Sequence, residues 1–202
     1  GQTGFVDSGL VDKYDIYGEI TNPNHLLGSD EFEYIFSAKN ASGNTLLEKK
    51  GKAFILPGQK KYLIELNLEL SERPALINLE ISNVHWIKFN SDYLKESGFN
   101  IVYKRYNEIV GGVNFGEAYG LLKNESPFDY NTIKIFVILK DGSGKIVALN
   151  STTINMVKAG ENRDFRIFWP NHFSGEVVNV DVQPEVNIFS SEAFMERYSI
   201  PD

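Results

Sequence analysis

Tyr17-Gly18, Asn22, Asn40-Ala-Ser-Gly43, Phe54-Ile-Leu-Pro-Gly58 and Asn78-Leu-Glu-Ile81 are the landmarks of one stretch, and the chain writes them a second time. Tyr119-Gly120, Asn124, Asp141-Gly-Ser-Gly144, Met156-Val-Lys-Ala-Gly160 and Asn179-Val-Asp-Val182 return in the same order. Each landmark lies 101 or 102 residues from its counterpart. A near-constant offset with one-residue slips points to a duplicated unit, too long for a solenoid repeat and the size of a small domain.

Within each unit the apolar residues alternate. Tyr14, Ile16, Gly18 and Ile20 share one face of a strand, with Asp15, Glu19 and Thr21 on the other. Phe32, Tyr34, Phe36 and Ala38 form a second strand. Tyr62, Ile64, Leu66, Leu68 and Leu70 give the clearest period of two, expected to fill a single face. Lys49-Lys50-Gly51-Lys52 interrupts a strand, where the glycine suggests a bulge or a strand change at a sheet edge and the lysines discourage edge-to-edge association. In the second unit Ile133, Ile135, Val137 and Leu139 alternate, but Phe136 and Ile138 between them are apolar too. Both faces of that strand are therefore expected to be covered, one by the neighbouring unit. Helical periodicity is weak, limited to Ser91–Ser97 and Ser191–Tyr198.

Short strands separated by Gly, Pro, Asn and Asp predict antiparallel sheets packed face to face. The expected fold is all-β: two tandem immunoglobulin-like antiparallel β-sandwich domains related by internal duplication. The first spans 1–94, the second 95–190, and 191–202 form a C-terminal tail. The break is expected near Asn90 to Ser97, with Phe89 and Phe189 as matching core plugs and a rod or a V as the overall form.

The 202 residues carry a net charge of −7, spread evenly as −4 over residues 1–100 and −3 over 101–202. No basic half exists to hold nucleic acid or anionic lipid. Without cysteine the chain has no disulfide, Cys-ligated zinc or thiol chemistry. Its longest apolar run, Ile133 to Leu139 broken only by Lys134, is far shorter than a spanning helix needs. The opening Gly1-Gln2, without methionine, reads as a processing boundary that leaves room for an N-terminal anchor upstream.

The landmarks resemble the FxLyD family of immunoglobulin-like domains. Val137-Ile-Leu139-Lys-Asp141 matches its motif with Val in the Phe position and Lys in the Tyr position. Phe36-Ser-Ala38-Lys-Asn40 keeps the Phe, with Ala for Leu and Asn for Asp. The resemblance implies an extracytoplasmic setting in a bacterial or archaeal cell envelope, often beyond a single membrane anchor. The family brings no catalytic residues. Physically, Asn40 and Asp141 are expected to bond backbone amides two residues on and so hold a turn.

Sites of chemistry are sparse. His25, His85 and His172 have no metal-ligand spacing, and no Gly-x-Ser-x-Gly elbow is present. Val110-Gly-Gly-Val-Asn-Phe-Gly116 lacks the helix a phosphate cradle needs. Asp141-Gly-Ser-Gly-Lys145 lacks the remaining ligands of a calcium loop. The expectation is thus no catalytic residue, no metal ligand and no cofactor. Two ligand readings stand beside it. Trp169, His172 and Phe173 could form an exposed platform for sugar or a partner, or Trp169 could end a core strand with Phe173 closed over it. Asp30, Glu31 and Glu33, with Asp12 and Asp15, could hold a calcium ion. The functional expectation is a non-enzymatic spacer or protein-interaction element with an unknown protein partner, and a carbohydrate- or calcium-binding module is the alternative.

Overall fold

The computed structural model describes residues 1–88 and 98–195. Twelve strands make up these residues: β1 Thr3–Asp7, β2 Lys13–Thr21, β3 Leu27–Lys39, β4 Thr45–Ile55, β5 Lys60–Glu69, β6 Leu76–Lys88, β7 Phe99–Glu108, β8 Gly116–Asn124, β9 Tyr130–Lys140, β10 Ile146–Val157, β11 Asn162–Trp169 and β12 Asn179–Glu185. They form four antiparallel three-stranded sheets, ordered β1-β2-β5, β4-β3-β6, β11-β8-β7 and β10-β9-β12. Each strand of the first half therefore has a counterpart six strands later with the same neighbours.

The landmarks occupy equivalent places in that order. Asn22 and Asn124 are both buried at the ends of β2 and β8. Asn22 donates through Nδ2 to the carbonyls of Leu27 (2.7 Å) and Leu56 (3.1 Å) and accepts from the Asn24 amide (3.0 Å). Asn124 donates to the carbonyls of Phe128 (2.8 Å) and Lys158 (2.9 Å) and accepts from the Ser126 amide (3.2 Å). Each amide thus satisfies loop backbone that burial cuts off from water. Asn40 Oδ1 accepts from the amides of Ser42 and Asn44, as Asp141 Oδ1 does from Ser143 and Lys145. Gly43 and Gly144 then both turn with φ +84°, a conformation that favours glycine.

Two cores lie inside the halves. Ile16, Phe32, Phe36 and Leu63 belong to the first, and Leu122, Tyr130, Ile135 and Phe165 to the second. A third apolar layer joins them. Val6, Tyr17 and Ile64, from the outer face of the β1-β2-β5 sheet, pack on Phe136, Ile138, Ile146 and Leu149, from the outer face of the β10-β9-β12 sheet. The four sheets are therefore stacked face to face, with β1-β2-β5 and β10-β9-β12 inside the stack. The expected rod or V gives way to this side-by-side arrangement, because both inner sheets carry an apolar outer face. Phe136 and Ile138 sit where their apolar character placed them, against the other half.

Several local expectations need correction. The β5 alternation does not fill one face. Asn67 takes φ 56° opposite a register shift between Tyr14 and Ile16, so β5 bulges there. Tyr62, Ile64 and Leu66 consequently face the second half, whereas Leu68 and Leu70 join the first core. The strand through Gly51 shows no bulge at that residue, which pairs in register with Tyr34. Its glycine makes room for a ring: a Cβ there would lie 2.2 Å from Tyr34 Cζ. Phe189 is no plug of the second core but lies against Gly28 of the first half. Phe89 and the expected break at Asn90 to Ser97, with its helical candidate Ser91–Ser97, lie outside the described residues. Ser191–Ala193 is a single 3-10 turn, and Phe194 then packs on Tyr130 with ring centroids 5.6 Å apart. The start of the expected tail thus belongs to the second sandwich.

Candidate functional site

Trp169 ends β11 inside the second core. Its indole N–H donates to the Leu149 carbonyl (3.2 Å), and its ring meets Tyr106 and Phe173 edge-on at 5.9 and 6.1 Å. Phe173 is buried as well, against Phe115 at 5.2 Å. Only His172 is exposed, with its ring over Phe115 at 4.6 Å. The sugar or partner platform at Trp169, His172 and Phe173 is therefore corrected: two of its three rings close the end of a core and have no free face.

The carboxylates of the calcium reading do not converge. Asp30 pairs with His85 Nδ1 (2.8 Å), Glu31 with Lys52 (2.7 Å), and Glu33 accepts from Asn83 (2.7 Å). Asp15 is buried elsewhere and accepts from the Asn67 amide at 2.7 Å. Among the described residues no group of three His, Cys, Asp or Glu side chains is placed to hold a metal ion. Ion pairing and strand alternation send each carboxylate to its own partner.

The place where side chains of distant segments do converge is the seam between the inner sheets. Gln183 of β12 meets the edge of β5: its Oε1 accepts from the Tyr62 amide (2.7 Å) and its Nε2 donates to the Tyr62 carbonyl (2.9 Å). Glu185, two residues on, accepts from Gln183 Nε2 at 2.8 Å and faces the Lys61 ammonium at 3.1 Å. Lys61 is almost wholly buried, with 1% of its side chain exposed, and its Nζ lies 4.1 Å from the Phe54 ring centroid. Burial pushes the Lys61 pKa down, against the opposing pull of Glu185. Lys140 pairs with Asp181 (2.7 Å), and Asn187 donates to the Asp30 carbonyl at 3.2 Å.

Two recesses flank this seam. One, of about 180 Å³, is lined by Tyr34, Phe54, Glu65, Lys134 and Phe136. The other, of about 440 Å³, is lined by Lys60, Tyr62, Lys140, Asp181 and Gln183. Their charged groups already hold one another: Tyr34 donates to Glu65 at 2.7 Å, and Lys60 pairs with Glu19 at 2.8 Å. Burial, with Glu65 beside it, pushes the Tyr34 hydroxyl well above the usual phenol range. Chemically, this arrangement clamps two sheets together. Sequence reasoning found Phe136 and Ile138 but missed Lys61, Gln183 and Glu185, since an isolated polar residue in a strand carries no sign of a partner 121 positions away.

No family model matches the chain, and no curated protein does. Among solved structures, a red sea bream transglutaminase is similar over 92% of this chain and 31% of its own, at 12% identity and a TM-score of 0.28. An anti-sigma factor domain-containing protein is similar over 96% of this chain and 91% of its own, at 15% identity and a TM-score of 0.22. A β-glycosidase from Bacteroides vulgatus is similar over 88% and 26%, at 12% identity and a TM-score of 0.20. The chain spans less than a third of the transglutaminase and of the glycosidase. Likenesses this distant carry no functional argument.

Proposed function

We propose that the chain is a non-enzymatic, extracytoplasmic module of a membrane-anchored bacterial envelope protein, built from a duplicated immunoglobulin-like sandwich. It serves as a spacer or a protein-interaction element. The observation that carries this reading is the clamped seam. An apolar layer flanked by Lys61–Glu185 and Gln183–Tyr62 ties the two sandwiches together, as a spacer or a fixed display surface requires. The charges of the seam, including those that line its recesses, are already paired with one another, which favours scaffolding over chemistry. The resemblance to the FxLyD family supports the envelope setting.

The test is protease shaving of intact cells producing the full-length protein with an epitope beside this module. Loss of the epitope from intact cells, with a cytoplasmic marker spared, is the expected result. An epitope released only after lysis, in the soluble cytoplasmic fraction, sinks the proposal.

A further inference from the structure

We propose that the outer face of the β11-β8-β7 sheet docks an extended acidic peptide, held by Arg105 and Arg166 on either side of Tyr119. This deepens, and rests on, the reading of the module as a protein-interaction element.

The three residues form one row across the sheet. Arg105 of β7 is the register partner of Tyr119 of β8, and Tyr119 is the partner of Arg166 of β11. The guanidinium carbons lie 5.4 Å (Arg105) and 5.9 Å (Arg166) from the Tyr119 ring centroid. A bulge creates the alignment. The register slips between Val102 and Arg105, where Tyr103 takes φ 55°. Ile101 and Tyr106 keep their places against the core on either side of it, so Arg105 is carried onto the outer face opposite Tyr119.

Both arginines are exposed, and among the described residues Arg105 has no carboxylate at ion-pair distance. Arg166 has Glu117 at 3.5 Å. On the rest of this face Glu117 and Asp164 outnumber Lys123, so its positive charge is concentrated in the row. In a chain of net charge −7 it is a local exception. Contact with the ring pre-orders both guanidinium forks, which suits them to carboxylates. Phe168, 41% exposed in the next row, offers an apolar contact beside them.

Spacing selects the occupant. Arg105 and Arg166 stand two strand separations apart, about 10 Å. In a polyproline II segment every third residue returns to the same side after about 9 Å. A peptide with the pattern Glu-x-x-Glu, laid across the strands, therefore presents one carboxylate to each arginine while the backbone between them crosses Tyr119.

The experiment is fluorescence anisotropy of a labelled poly(Glu-Pro-Pro) peptide titrated with the whole chain at low salt. Saturable binding is expected, weakened about tenfold by each of Arg105→Gln and Arg166→Gln. The Lys145→Gln/Lys158→Gln double variant, which removes two positive charges elsewhere, should bind as the parent does. Arg105→Lys/Arg166→Lys keeps charge and fold but loses the forks, so it should bind weakly. No saturable binding by the parent overturns the proposal, as does equal loss in the lysine control. Arginine-dependent binding of alginate without binding of the peptide overturns it in favour of an acidic glycan. Failure here removes the docking face, whereas shaving of intact cells decides the module's setting separately.

Discussion

Gln183 closes on both backbone polar groups of Tyr62, accepting from its amide at 2.7 Å and donating to its carbonyl at 2.9 Å. One side chain thereby imitates a neighbouring strand along the edge of β5. Gln183→Ala leaves both groups short of partners in a half-buried setting, at a cost of about 2 kcal/mol. Urea denaturation followed by tryptophan fluorescence measures it, and an unchanged midpoint would show that water replaces the glutamine freely.

The Lys61–Glu185 pair predicts a strongly non-additive cycle. Glu185→Gln leaves the Lys61 ammonium buried without its counter-charge and should destabilise the protein by about 3–5 kcal/mol. Lys61→Met/Glu185→Leu removes both charges and should recover most of that loss. Additive single losses in the denaturation midpoints would contradict the clamp.

Asp15 should give the fold a pH dependence of unusual sign. Burial raises its pKa from 3.8 to about 6, the Asn67 amide opposing the rise. Between about pH 4 and pH 6 the folded state therefore holds a proton that the unfolded chain releases, and stability falls as pH rises through this window. The full effect above pH 6 is about 3 kcal/mol. Asp15→Asn keeps an acceptor for the Asn67 amide and should flatten this part of the profile while stabilising the protein at pH 7. A parallel profile for parent and variant would count against it.

Asn22→Ala and Asn124→Ala should cost similar amounts, about 3 kcal/mol each, because each strands two loop carbonyls. Asn22→Asp and Asn124→Asp should rescue neither, since a carboxylate cannot donate. A large cost at one position and none at the other would show that the two buried amides are not equivalent parts.

The paired asparagines, the Asn40 and Asp141 turns and the succession of strands along the chain were legible because backbone demands leave the same residue types at the same spacing. What misled was alternation itself. Tyr62 to Leu70 reads as one unbroken face, but Asn67 at φ 56° turns the strand partway, sending Ile64 outward and Leu70 inward. A period of two cannot reveal that both faces are apolar for different reasons. The arginine row was hidden similarly, since Arg105 reaches Tyr119 only through the slip at Tyr103. Of the two readings the sequence offered for Trp169 and Phe173, the core one holds: Trp169 ends a core strand and Phe173 closes over it, so the platform reading falls.

The face-to-face seam also bears on portability. Severed from its companion, either sandwich would present a bare greasy surface, Tyr17 and Ile64 on one fragment, Phe136 and Ile138 on the other. Fragments made by cutting between the halves should stick to themselves or to each other. The smallest well-behaved building block is therefore the couple, and an engineer wishing to transplant it must move both members together.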